Sequence, residues 1–171
     1  MSDSAGACWP EPHDEAERLQ DLRSLNVLDT PSEPVFDSIV EIAAGLIDTP
    51  MAAVTLVDGD RQWFKSETGI DCEEIGREVS FCAHTILGDE PMVVEDALKD
   101  PRFQDSPLVA GPIGIRFYAG VPLRTNAGQN VGALCVADTH PRKVTPCLVR
   151  LLERLASLAV YALERRRRTF R

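Results

Sequence analysis

Long apolar runs are missing from this 171-residue chain. No stretch approaches the roughly 20 apolar residues that a membrane-spanning helix needs. Met1 to Asp14 lacks the basic-then-apolar order of a secretory signal. The expectation is a cytoplasmic protein with no membrane partner. CxxC pairs are missing as well. The five cysteines, Cys8, Cys72, Cys82, Cys135 and Cys147, are odd in number and scattered, which fits reduced thiols better than a disulfide framework. Basic residues are scarce over most of the length. Residues 1–150 hold 12 Lys and Arg against 25 Asp and Glu, a net of −13, and so acidic a body argues against nucleic-acid binding. Residues 151–171 reverse the sign to a net of +4. There, Arg165 to Arg168 suit the C-terminal end of a helix, where solvated cations complement the dipole. The chain also has no Walker loop, dinucleotide fingerprint, GxSxG elbow or HExxH pair, and neither an internal repeat nor an alternating βαβ series.

What is present centres on Ile115 to Asp138, which reads as two strands and a turn. Ile115, Phe117, Ala119, Val121 and Leu123 alternate with Arg116, Tyr118, Gly120, Pro122 and Arg124, so the first strand buries one face and leaves the other mixed. Val131 to Ala137 is nearly all apolar, the mark of a central strand covered on both faces. Gly120 permits close approach to the backbone, and Pro122 implies a bulge or an unpaired edge.

Residues 1–14 are expected to be disordered. Residues 15–168 form a single domain, and 169–171 a basic tail. Leu19, Leu22 and Leu25 mark a short amphipathic helix. Thr30 is the expected cap of the next helix, with Pro31 at its first position and Glu33 completing a capping box. Met51 to Val57 and Arg61 to Glu67 read as strands, Thr68 to Val79 as a loop, and Ser80 as the cap of a short helix. Met92 to Glu95 is another strand. Asp96 to Gly114, rich in Pro and Gly, is a long connection holding one or two helical turns, and such connections are often functional. Thr145-Pro146 starts a long terminal helix. The order ααββ-α-β-(α)-ββ-α implies an α+β domain: an antiparallel sheet of five or six strands with helices on it.

Three groups can carry chemistry. Cys82 and His84 offer a thiol and an imidazole, either as nucleophile and base or as metal ligands. At this spacing on a helix they point apart and no second close His or Cys completes a zinc set, so packing is the competing role. Asp96 to Phe103 supplies two carboxylates and Arg102, for a site or for turn capping. Arg116 and Tyr118 share the mixed strand face. They can bind an anionic or aromatic ligand, or they can pin the long connection.

In this order the runs SFCAHTI, PMVVEDALKDPRF, IRFYAGVPL and GALCVAD followed by HPR resemble the GAF domains of bacterial signalling proteins. The resemblance covers residues 15–165. It extends to the subgroup found upstream of histidine-kinase and diguanylate-cyclase modules. It implies a central antiparallel sheet with the N- and C-terminal helices on one face and a small-molecule pocket on the other, with no cofactor and no catalysis. It implicates Phe81, Cys82, His84, Asp96, Arg102, Phe103, Arg116, Phe117 and Tyr118 in that pocket, although alternation turns Phe117 toward the helices. The family's cyclic-nucleotide signature is not visible, and Ala83 separates Cys82 from His84 where bilin-attaching members have Cys directly before His. The expectation is that no output module follows the terminal helix and that a histidine kinase or diguanylate cyclase is the partner in trans. One alternative is the GAF-fold free methionine-(R)-sulfoxide reductases, which Cys72 and Cys82 resemble in spacing, although their further downstream Cys falls here near Ser106. The other is a degenerate domain that only mediates protein contacts.

Along the terminal helix, Leu148, Leu151, Leu155, Leu158, Ala159 and Ala162 form a heptad-like seam. The expectation is a two-fold homodimer through this helix.

Overall fold

A computed structural model of the chain describes residues 9–169. The helices are α1 (Glu15–Ser24), α2 (Pro34–Ile47), α3 (Phe81–Thr85), α4 (Pro107–Ala110) and α5 (Pro146–Thr169). The strands are β1 (Met51–Val57), β2 (Arg61–Thr68), β3 (Glu74–Gly76), β4 (Met92–Val94), β5 (Phe117–Arg124) and β6 (Asn130–Asp138). They form one sheet in the order β3-β2-β1-β6-β5-β4, and every pairing is antiparallel. The α+β architecture expected from the element order is therefore the observed one.

The period-2 pattern of β5 builds the two sides of the molecule. Phe117, Ala119, Val121 and Leu123 face a core shared with Leu22 of α1, Phe36, Ile39 and Val40 of α2, and Leu152, Leu155 and Ala159 of α5. The opposite face carries Ala53, Tyr118, Ala133, Cys135 and Ala137, packed with Phe81 and Cys82 of α3 and Phe103 and Val109 of the long connection. β6 is central and buried on both faces, as its apolar run requires. β4 stops opposite Gly120, so the sheet edge beside Pro122 has no partner strand needing its missing N–H.

Four local expectations are corrected. The second helix starts at Pro34, not Pro31. Two prolines compete for the first helical position, and the residue before a proline is held extended. Glu33 is accordingly at φ −132°, ψ 132°, which bars a helix running from Pro31 through it. The Thr30 hydroxyl instead donates to the Val27 carbonyl and accepts from Lys65 Nζ at 2.9 Å, and Glu33 pairs with Lys65 and Arg166. Second, the 68–79 segment is not all loop, because β3 and a 3-10 turn (Arg77–Val79) lie within it. Third, the terminal arginines do not simply stay solvated. Arg166 reaches Glu33 at 2.6 Å and Arg167 reaches Asp21 at 2.8 Å, which ties α5 to α1 and to the start of α2.

The fourth correction concerns the seam on α5. Leu155 and Ala159 are buried in the chain's own core, and Leu148 and Ala162 pack against it. Of the expected interface set only Leu151 and Leu158 are exposed, because the sheet and α2 take the rest of the stripe. Of the segment expected to be disordered, residues 1–8 lie outside the described residues, as does Cys8. Trp9 is placed, 5.7 Å from the Arg77 guanidinium. Most of the 169–171 tail is likewise outside.

The HPR run is scaffold. Arg142 Nε donates to Asp138 Oδ2 at 2.6 Å, its Nη1 to the Ile47 carbonyl at 2.8 Å and its Nη2 to the Asp48 carbonyl. It thus closes the carbonyl end of α2, where Asp48 turns left-handed at φ 58°.

Candidate functional site

Small side chains on one sheet face make room for the site. Cys135 sits between Ala53 on β1 and Gly120 on β5, with Ala133 and Ala137 on the same face of β6. The depression admits the Tyr118 ring, which lies across Gly120. A Cβ added there meets the Tyr118 hydroxyl oxygen at 2.2 Å. Above the depression stands α3. Its cap holds as the sequence suggests: Ser80 Oγ accepts from the Ala83 N–H at 2.9 Å and donates to Gln62 Oε1 of β2. The helix is short, but its start is fixed to the sheet.

A cavity of about 350 Å³ opens between this face, the segment joining β2 to β3, α3 and the long connection. The sheet contributes Met51, Gln62, Phe64, Tyr118, Cys135 and Ala137. Residues 69–72 and Ile75 close one side, Phe81 and Cys82 the top, and Leu108, Ile113 and Ile115 the other side. Three thiols line it, those of Cys72, Cys82 and Cys135. The four described cysteines are all free, Cys82 and Cys135 being buried and Cys72 and Cys147 exposed.

Tyr118 organises the polar part. Its hydroxyl lies 2.8 Å from Thr85 Oγ1 and 3.2 Å from Cys82 Sγ, and Thr85 Oγ1 donates to the Phe81 carbonyl at 3.4 Å. One proton arrangement satisfies all three: Thr85 gives its proton to Phe81, Tyr118 to Thr85, and Cys82 to Tyr118. Burial pushes the Tyr118 phenol well above its ordinary range. Contact with Cys82, then burial, does the same to the Cys135 thiol. Both are protonated at neutral pH.

Rings then stack outward. Phe81 lies 5.0 Å from Tyr118 and 4.2 Å from Phe103, and His84 meets Phe103 edge-on at 4.8 Å. Burial first, and the Arg102 charge second, hold His84 below the ordinary imidazole value, against the pull of Asp100. It is neutral at pH 7.

The sequence-derived set therefore divides. Phe81, Cys82 and Tyr118 line the cavity. His84 and Phe103 belong to the aromatic stack behind it. Cys82 and His84 go to different neighbours, so they do not form a nucleophile–base pair. Asp96 caps a turn by accepting from the Leu98 N–H at 3.1 Å. Arg102 is clamped by Asp100, Nε to Oδ1 at 3.0 Å and Nη2 to Oδ2 at 2.7 Å. Arg116 donates to the Val109 and Ile115 carbonyls at 2.8 and 3.1 Å, so it pins the connection. Phe117 is fully buried on the helix side, where alternation puts it, and it cannot touch the cavity. Met51, Phe64, Ile70 and Ile113 were missed. As apolar residues in strand or loop runs they carry no individual signal. Cys135 and Ala137 lie in a run so continuously apolar that its sequence distinguishes neither face, and nothing in it marks them as facing a void. Among the described residues no group of three or more His, Cys, Asp or Glu is placed to hold a metal ion.

Comparison with known proteins agrees with this geometry. A family model described as GAF domain matches residues 31–163. A cyclic di-GMP phosphodiesterase of Pseudomonas aeruginosa is 41% identical over 152 residues, which cover 88% of this chain and 26% of that protein. The chain thus spans about a quarter of the length of this curated relative. Among solved structures, the free methionine-R-sulfoxide reductase from Neisseria meningitidis in complex with its substrate superposes with a TM-score of 0.65 at 17% identity, over 94% of this chain and 96% of that one. The GAF domain from Acinetobacter phosphoenolpyruvate-protein phosphotransferase gives 0.63 at 17% identity, over 88% and 93%. The blue-light absorbing form of the Thermosynechococcus elongatus PixJ GAF domain gives 0.62 at 17%, over 87% and 88%. At such identities the structural likeness establishes the fold alone.

Proposed function

The chain belongs to the GAF domain family, and on that premise we propose that it is a small-molecule-sensing, non-catalytic regulatory module of bacterial signal transduction, acting in the cytoplasm. The observation that carries this reading is the apolar cavity of about 350 Å³ on the face of the sheet turned away from α1, α2 and α5. Its volume falls in the range of small-molecule sites. β5 and β6 carry cavity residues on one face and α5-packed residues on the other, so an occupant that moves these strands also moves the terminal helix. An interaction-only domain fills such a space with its own side chains, and here the space is open. The output is a histidine kinase or a cyclic di-GMP enzyme, in trans or on the same polypeptide. The Pseudomonas relative supports the latter type.

The test is native mass spectrometry of protein purified from its own host. A bound small molecule, lost in Leu108→Trp, is expected, because Leu108 is half-buried at the cavity wall and indole there blocks it. Protein that carries no adduct and whose melting temperature no cell-extract fraction shifts overturns the reading. A reductase is the second reading, favoured by the three thiols around one cavity. Stereospecific turnover of free methionine sulfoxide with a thiol reductant, abolished by Cys82→Ser, establishes it in place of the sensor.

Assembly as a two-fold dimer is part of the proposal, now through the exposed part of the seam. Leu151, Leu158 and Tyr161 of α5 lie on the surface with Val35 and Ile42 of α2. Leu158 is 56% exposed, so Leu158→Glu leaves the monomer intact. It is expected to halve the mass seen by light scattering at tens of micromolar. A parent that is already monomeric, or a variant that assembles like it, refutes the dimer.

A further inference from the structure

The chemical class of the occupant follows from which charges reach the cavity and which do not. Among the described lining residues Asp71 is the single charged one, and it is acidic. The cations that the sequence places nearby are committed elsewhere. Arg116 holds two carbonyl oxygens of the connection, and Arg102 is clamped by Asp100; His84, behind the Phe81–Phe103 stack, is neutral and supplies no charge. Burial, and then the Glu67 and Asp71 carboxylates, push the Cys72 thiol up. The directional groups are largely spent as well. The Tyr118 hydroxyl serves Thr85 and Cys82, and Gln62 Oε1 serves Ser80. Most of what remains for recognition is apolar area and the rings of Phe64, Phe81 and Tyr118. An anion here loses its hydration and gains no cation in return. A flat, neutral molecule loses little and gains ring contacts.

We propose that the cavity takes an uncharged, largely apolar, ring-containing small molecule and rejects anions, phosphate-bearing ligands included. This rests on the reading of the cavity as the sensor's ligand site.

A matched pair of fluorescent probes tests it on the full chain. N-phenyl-1-naphthylamine is neutral, and 8-anilino-1-naphthalenesulfonate is the same skeleton with a sulfonate. The neutral probe is expected to saturate at one per chain, and the sulfonate to bind at least tenfold more weakly. Leu108→Trp is expected to abolish binding of the neutral probe. Ile113 is 53% exposed at the rim, so Ile113→Arg keeps the fold while bringing a cation to the mouth, and it is expected to narrow the gap between the probes. Sulfonate binding equal to or tighter than that of the neutral probe overturns the ligand class and leaves the sensor reading standing. Failure of both probes to bind, or neutral-probe binding unchanged in Leu108→Trp, overturns the cavity as a ligand site and both proposals with it.

Discussion

A Gly132→Ala variant is expected to lose about 3 kcal/mol of stability, the upper end of the range for an overpacked core. Gly132 stands in β6 opposite Leu56 of β1 and Leu123 of β5. A Cβ there lies 1.9 Å from the Thr55 carbonyl oxygen and 2.8 Å from its carbonyl carbon. Both atoms are main chain in a strand paired on both sides, at the point where β1 shifts register against β2. No rotamer change relieves the clash, so two central strands must separate. Chemical denaturation checks this, and a thermal midpoint lowered by roughly 6–12 °C is the corresponding shift for a domain of this size. A variant within 1 kcal/mol of the parent, the scatter of a tolerated core swap, refutes the account. Gly120→Ala makes the contrast. The three atoms nearest its added Cβ all belong to the Tyr118 side chain, which is not main chain and can shift, so the expected loss is about 1–2 kcal/mol together with the hydroxyl contacts to Thr85 and Cys82.

Glu15→Gln is expected to cost about 3–5 kcal/mol, the usual result of removing one member of a buried ion cluster. Two guanidiniums share this carboxylate. Arg18 donates through Nη2 at 2.7 Å and Nε at 2.8 Å, and Arg77 through Nη1 at 2.5 Å. Arg18 is 1% and Arg77 0% exposed, so neither recovers its hydration when the charge is removed. The cluster joins α1 to the turn that precedes α3, since Arg18 also holds the Val57 carbonyl and Arg77 that of Asp58. Burial opposes the Glu15 charge, but the hydrogen bonds from Arg18 and Arg77 outweigh it and hold the carboxyl below its ordinary value. The folded-state pKa is thus lower than the unfolded one. Across that window the unfolded chain binds more protons. The stabilisation is fully present above the unfolded carboxylate pKa and is lost as the pH falls through the folded one. Urea denaturation of parent and variant at neutral pH and at acid pH measures it. The difference between them is expected to shrink on acidification, and a constant difference refutes the ionic account.

Much of the fold was legible because hydrophobic periods report directly on faces. Alternation in Ile115–Leu123 assigned Phe117 to the helices and Tyr118 to the opposite side, and both stand there. The bounds of β1 followed from one apolar run between turn residues. The start of α2 was legible too, through the constraint that Pro34 places on Glu33, but the earlier Thr30-Pro31 signal had the stronger cap chemistry. Arg116 shows where such reading stops. A cation on a mixed strand face can bind a ligand or pin a loop, and sequence does not distinguish a carbonyl partner from a phosphate.

The sequence by itself determined the α+β class, the central β5–β6 hairpin, the two-sided sheet and the short helix capped by Ser80. These depend on contacts near in the chain or on a repeating face, both of which are written locally. Only the tertiary structure decided that the small residues Ala53, Gly120, Ala133 and Ala137 leave a depression, that Cys82 and Cys135 meet across it, and that Arg102 and Arg116 turn away from it. It also decided which side of the α5 stripe is covered. A void and its charge are properties of what several distant segments leave unfilled. No single segment encodes them, because the emptiness results from side chains that are small on one strand and differently engaged on another.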